Sequence, residues 1–190
     1  MKEWLEKHPK AAQWIREGGL FLVFSYVVTF IKYLILQFLP NLYFNLVGDA
    51  EWMWPGIKLV ELDPDNIIYF SLIGNPRGIG ASSGLAFTLA NLTAIFLGEF
   101  INFPLQRNVT FKSHGPVVPQ ALCHMAATIA VFLVMNQFTC IWNPVAGHFG
   151  IPDFLFNIVT TVVTGGVAMV IIFAVDKTVF APGWGEKKTA

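Results

Sequence analysis

Residues 84–111 read GLAFTLANLTAIFLGEFINFPLQRNVTF. The first fifteen carry no charge, and then Glu99, Asn102, Gln106, Arg107 and Asn108 follow within ten positions. A run this apolar is the interior of a membrane-spanning helix. Its last turns therefore place an acid, amides and a base at the edge of the hydrocarbon or inside it. At about 100° per residue, Thr88, Asn91, Glu99, Asn102 and Gln106 share an arc of about 80°, with Gly84 on the same face. The stripe rises through roughly 27 Å, most of a bilayer core. A charge at the centre of a bilayer costs about 2.5–3.5 kcal/mol, so such a stripe must face protein or a wet cavity.

The rest of the chain has the same character. Of its 190 residues, 55% are hydrophobic and 13% charged, with a mean hydropathy of +0.59. Soluble domains carry roughly 25% charged residues. The class is an all-α membrane protein with four spans, over about 19–39, 82–105, 118–142 and 154–175, each near the roughly 20 residues that cross a bilayer. The first, GLFLVFSYVVTFIKYLILQFL, is longer than the roughly 7–15-residue core of a signal peptide, and no small-x-small cleavage site follows it. The breakers GNPRGIG (74–80), SHGPVVP (113–119) and NPVAGHFGIPD (143–153) punctuate the spans. Residues 1–17 mix Trp4, Leu5, Trp14 and Ile15 with charges and read as an interfacial helix. The transmembrane domain then covers 18–181, with a loop at 47–79, and 182–190 form a tail.

Charge orients the spans. Lys2, Lys7, Lys10, Arg16, Arg107, Lys112, Lys177, Lys187 and Lys188 fall on one side, against Lys58 and Arg77 on the other. The basic side is cytoplasmic, which puts both termini inside the cell membrane and the 47–79 loop outside. The formal net charge is zero, which excludes a nucleic-acid partner. Cys123 and Cys140 stand about 25 Å apart along one helix and read as small buried side chains. The four histidines show no ligand spacing, so neither metal nor cofactor is expected. GNPRGIGASSG leads into a span rather than following a strand, which disqualifies it as a phosphate loop. No nucleophile–base constellation is visible, and an enzyme is not expected.

Polar stripes recur in the other spans, as Ser25, Thr29 and Lys32 in the first and Asn157, Thr160, Thr161 and Thr164 in the fourth. They should converge. The hydroxyls and Asn91 read as interhelical glue, whereas Glu99 and Lys32, ionisable inside spans, are functional candidates. Counting from the cytoplasmic ends puts Lys32 about 20 Å deep and Glu99 about 12 Å, and a mutual salt bridge is the competing explanation. Arg107 and Lys112 also serve as positive-inside residues.

The end of span two, NFPLQRNVTF (102–111), is echoed at the end of span four by IFAVDKTVF (172–180). Phe103 precedes Arg107 as Phe173 precedes Lys177, and Gln106 or Asp176 stands just before the base. Two helical hairpins in a parallel pseudo-repeat would produce this, with a site at their interface.

At this stretch the chain resembles the GtrA-like family of small four-span membrane proteins. The second span of that family ends in a pattern matched here by Asn102, Phe103, Gln106, Arg107, Thr110 and Phe111, with an echo closing the fourth span. Ile172 departs from it, standing where an Asn would echo Asn102. The resemblance implies a flippase that carries a polyprenyl-phosphate-linked monosaccharide to the outer leaflet, for glycosylation of cell-envelope polysaccharide or teichoic acid. On that reading Arg107 and Lys112 receive the phosphodiester, Asn102, Gln106 and Glu99 hold sugar hydroxyls, and Lys32 takes the phosphate deeper, with Asp176 and Lys177 as the echo of the site. Partners would be the lipid substrate, membrane lipids, a membrane glycosyltransferase and further copies of the chain. Two other readings stay open: a non-transporting subunit that anchors a glycosyltransferase, and an ion-coupled exporter of small solutes with Glu99 as the proton site.

Overall fold

A computed structural model describes residues 6–48, 50–74 and 84–184, with backbone alone at 153, 157 and 161. Expectations that rest on residues 1–5, 75–83 and 185–190 lie outside these, including Trp4, Arg77, Gly80, the start of span two and most of the tail. So do the side chains of Asn157 and Thr161.

Of the described residues, 75% are helical. In order come α1 (Pro9–Val47), β1 (Ile57–Asp63), β2 (Asn66–Phe70), α2 (Gly84–Leu105), a π-helical turn (Gln106–Thr110), α3 (Val117–His148) and α4 (Asp153–Val179). Four helices are long and apolar enough to cross a membrane, as a multi-pass membrane protein requires. Their outer faces are apolar and exposed, as at Phe30, Phe38, Phe96, Phe100, Val134 and Val170.

Two features differ from the sequence reading. The first lies at the N-terminus, where residues 9–17 form no separate helix but the opening turns of α1. Gly18 and Gly19 do not break it, because the turn before them is held by α4. Trp14 meets Phe173 edge-on at 5.9 Å, Lys177 lies 3.9 Å above the Trp14 ring, and Glu17 pairs with Lys177. At 39 residues, α1 rises about 58 Å, nearly twice the hydrocarbon thickness.

The second difference is that the fold is mostly helical rather than all-α. Residues 57–70 form an antiparallel hairpin. The sequence IKLVELDPDNIIYF carries its signal, two β-branched runs around Asp63-Pro64-Asp65-Asn66. Asp63 Oδ1 accepts from the Asp65 amide at 3.0 Å and from Asn66 Nδ2 at 2.9 Å, which closes the turn. The hairpin docks on the far end of α3. Gln137 grips its backbone twice, accepting from Ser71 N at 3.0 Å and donating to Tyr69 O at 3.1 Å. Asn136 donates to Ser71 O and Gly74 O at 3.0 and 3.1 Å.

α1 packs chiefly on α2, and α3 chiefly on α4, while α2 and α3 meet little. The space left between these pairs holds the cavity described next.

Candidate functional site

The end of α2 has a local cause. Pro104 sits inside the helix and lacks the amide that would bond the preceding turn. The chain beyond it widens into a π-helical turn, closed by Phe111 N on Gln106 O at 3.0 Å. Such turns re-aim side chains. Here the widened turn stacks Thr110, Gln106, Asn102 and Glu99 into one hydrogen-bonded ladder. Thr110 donates to Gln106 at 2.8 Å, Gln106 to Asn102 at 3.2 Å, and Asn102 to Glu99 Oε2 at 3.0 Å. The lower part of the polar arc read from the sequence, Glu99 to Gln106, is therefore a continuous buried chain.

At Glu99 the ladder leaves α2. Lys32 Nζ of α1 donates to Glu99 Oε1 at 2.6 Å. His124 Nε2 of α3 meets Glu99 Oε2 at 3.0 Å, and its Nδ1 meets Asp176 Oδ1 of α4 at 2.6 Å. One ionisable side chain from each span thus joins a single chain, Lys32–Glu99–His124–Asp176. Glu99, His124 and Asp176 are buried, whereas Lys32 is partly open. The ring of His124 is walled by Phe103 and Phe180, at 5.6 and 6.2 Å between centroids. Asp176 Oδ2 is buried and has no partner among the described residues.

The mutual salt bridge of Lys32 and Glu99 is real, and its closure has a geometric reason. Gln106 Nε2 reaches Phe21 O at 3.4 Å, which sets the level of α1 against α2. From that level Lys32 lies eleven residues up and Glu99 seven, a difference of about 6 Å. A lysine stem leaning toward the helix N-terminus covers it. Gly98 provides the room, since a Cβ there would meet Lys32 Cγ at 2.8 Å and Cδ at 2.9 Å.

A cavity of about 400 Å³ opens beside this chain, between the helix pairs. Ser25, Thr29 and Lys32 line it from α1, Asn91, Glu99 and Asn102 from α2, Thr128 from α3 and Thr164 from α4. The stripes converge as the sequence required. Several hydroxyls turn to their own helix, and Thr93 also meets the Tyr43 hydroxyl of α1 at 2.9 Å, as interhelical glue. Thr88, Thr93, Thr160 and Thr164 each donate to the carbonyl four residues back. Thr128 is the exception, because its buried Oγ1 has no partner among the described residues and stands in the cavity wall.

Other expected site residues have different employment. Arg107 donates from Nε to Gln120 Oε1 at 2.8 Å, from Nη1 to Asn108 at 2.7 Å, and from Nη2 to Gly115 O at 2.7 Å. Gln120, fully buried, donates to Ser113 and to Val179 O at 2.8 and 3.0 Å. Arg107 thus fastens the α2–α3 connection to the end of α4. Gln106 is wholly buried and orients Asn102 rather than lining the cavity. Lys177 is engaged by Glu17 and Trp14. Lys112 is exposed, with φ at +50°. With Arg16 it borders a second cavity of about 450 Å³ at the α1 N-terminal end, beside Gln13, Glu17, Thr110 and Phe111. Among the described residues, neither Arg16 nor Lys112 has a side-chain partner.

His124 was not among the expected site residues. Its histidine was weighed for ligand spacing and not for depth in a span. The available signal was Gln120, His124 and Thr128, four apart on one face of the third span.

These features define a class, a four-span helical membrane protein with an ionisable cluster beside a polar cavity between its helices. No protein-family model, curated protein or solved structure matches the chain.

Proposed function

We propose that the protein is a flippase for a polyprenyl-phosphate-linked monosaccharide. The observation that carries this reading is the cavity between the spans. It offers a cation at Lys32, amides at Asn91 and Asn102, and the unsatisfied hydroxyl of Thr128. That is the chemistry of a phosphodiester with a sugar attached. A lipid tail can remain in the bilayer while the head group occupies such a space. Apolar side chains complete the lining, among them Phe21, Val131 and Met169.

The reading differs from the resemblance in where the phosphate is first held. Arg107 is engaged in the loop, so Arg16 and Lys112 at the rim cavity take that role, and Lys32 receives the group deeper in. The parallel pseudo-repeat is part of the proposal. It is supported by the meeting of the motif aromatics with their echo, Phe103 and Phe111 with Phe180 at 5.8 and 5.5 Å, and Phe111 with Phe173 at 5.9 Å. Glu99 and Asp176, one from each half, flank His124. The proposed setting is the plasma membrane, with both termini cytoplasmic and a membrane glycosyltransferase receiving the product.

The test is reconstitution. Purified protein in liposomes should move a labelled short-chain prenyl phosphohexose between leaflets, and Lys32→Gln with Asn102→Ala should not. Equal movement in protein-free liposomes would end the proposal. No movement at all, together with stable co-purification of a glycosyltransferase, would favour the anchoring subunit instead.

A further inference from the structure

The four linked groups impose a count of protons. An ionised carboxylate only accepts hydrogen bonds, and a neutral imidazole donates from one nitrogen and accepts at the other. His124 meets a carboxyl oxygen at both nitrogens. Glu99, His124 and Asp176 must therefore hold two protons between them. They do so either as an imidazolium between two carboxylates, or as a neutral ring with one carboxylate and one carboxylic acid. Both arrangements leave the trio with one net negative charge, which the Lys32 ammonium balances through Glu99 Oε1. The empty site is electrically neutral.

A monoanionic ligand upsets this balance. Lys32 is the only member of the chain that is partly open, and it lines the cavity with Glu99. An anion there competes with Glu99 for the ammonium. If the ammonium turns to the anion, the trio keeps an uncompensated charge at membrane depth, where such a charge is costly. One more proton removes it. The seat for that proton is Glu99 Oε1, the atom that the ammonium has left, and from there it can donate to an oxygen in the cavity. Glu99 Oε1 gains an O–H bond, and the proton is released by the acid form of the buffer in the surrounding water, whose own bond to it breaks.

Other charges do not supply the compensation. On α1 and α4, Glu17 and Lys177 are paired with each other. Arg107, beyond the end of α2, is engaged by Gln120, Asn108 and Gly115. Arg16 and Lys112 line the separate rim cavity. On α3 the only other titratable groups within the described spans are Cys123, Cys140 and the terminal His148, which pairs with Asp63 at the hairpin end.

We propose that the Lys32–Glu99–His124–Asp176 chain binds a coupling proton, so that each monoanionic phosphodiester entering the cavity is accompanied by uptake of one proton. This rests on the reading of the cavity as the site for an anionic lipid head group. The loaded site would then be as neutral as the empty one. Otherwise each crossing would move a net charge through a membrane potential worth about 2.3 kcal/mol per 100 mV.

Calorimetry of the full chain in detergent, repeated in buffers of different ionisation enthalpy, counts the protons. Three probes are used, a short-chain prenyl phosphohexose, dimethyl phosphate, and a short-chain prenyl glycoside lacking phosphate. The phosphodiesters keep one charge throughout pH 5–8. The lipid-linked probe is expected to take up about one proton per molecule bound and to bind up to about tenfold tighter per unit fall in pH. The neutral glycoside should take up none, and equal uptake with it would overturn the proposal. Binding of the lipid-linked probe without proton uptake overturns the proposal and leaves the flippase reading standing, and binding of dimethyl phosphate alone without uptake overturns both. Binding of dimethyl phosphate alone, with uptake, upholds the proton site and removes the lipid-linked substrate. Binding by neither overturns both. Glu99→Gln lacks the seat for the proton and should take up none on binding, and unchanged uptake in that variant also overturns the proposal. The wild-type counts decide the matter if the variant does not fold.

Discussion

Arg107 illustrates how a residue picked out by its pattern acquires a different role from its neighbours. Its planar fork reaches a side chain on α3, a neighbouring amide and a backbone carbonyl. A lysine has one nitrogen and cannot reproduce that geometry. Arg107→Lys is expected to lower stability by about 1–3 kcal/mol through lost charge-assisted hydrogen bonds, read as a fall in the melting temperature of the detergent-solubilised protein. If the melting temperature is unchanged while transport is lost, Arg107 acts on the substrate and not on the loop. Asp63 gives a second case, outside the spans. The hydrogen bond from His148, with help from Asn66 and the Asp65 amide, holds its carboxyl below the usual 3.8. A depressed carboxylate stabilises the fold above its unfolded pKa and loses that contribution as pH falls through the folded value. The tie between the hairpin and α3 should therefore be intact at neutral pH and released only below pH 3.8. The Asp63 carboxyl shift in an NMR titration would show it, and a midpoint above 3.8 would contradict the pairing.

The contact of α1 with α2 depends on one small residue. Gly98 is buried against the stem of Lys32. A methyl group there would overlap the Lys32 stem from Cγ to Cε, most severely at Cε, so the end that carries the ammonium must move aside. Gly98→Ala should separate Lys32 from Glu99 and cost about 1–3 kcal/mol by overpacking. Transport should be lost in the same variant, because the cation of the cavity is displaced. Wild-type melting and wild-type transport together would show that the helices part without consequence. The hairpin and α3 are joined by a similar device. Gly147 leaves room for the Asn66 side chain, which a Cβ would strike. The ladder on α2 in turn runs past Pro104 into the π-helical turn, where Gln106 and Thr110 extend it.

The molecule as a whole has two chemically distinct ends. One gathers the start of α1, the α2–α3 connection and the end of α4, tied by Glu17 with Lys177 and by Gln120 with Val179. The other gathers the hairpin and the α3–α4 turn, tied by Asp63 with His148 at 2.6 Å. The nine-to-two distribution of basic residues is the ground for the proposal that the first end is cytoplasmic. Single cysteines at Asp65 and Lys112, in a chain without Cys123 and Cys140, should react with an impermeant thiol reagent from opposite sides of right-side-out membranes. Reaction of both from the same side would invert or break this arrangement.

The spans and the converging polar stripes were legible in the sequence alone, because they follow from local quantities: the hydrocarbon length, the helical period and the cost of a polar group in lipid. Glu99, Asn102 and Lys32 were found at the cavity for that reason. The hairpin at 57–70 was legible in principle, since β-branched runs flank a turn, although the sequence reading gives 47–79 only as a loop. What only the tertiary structure decided are the partners. Lys32 reaches Glu99 because Phe21 fixes the level of α1 against Gln106. Asp176 and Glu99 share His124 although 52 and 25 residues separate them from it. Arg107 turns to the loop because Gln120 lies within reach. The period of a helix says which residues share a face, but which face meets which neighbour, and at what height, depends on contacts between segments that no local pattern contains.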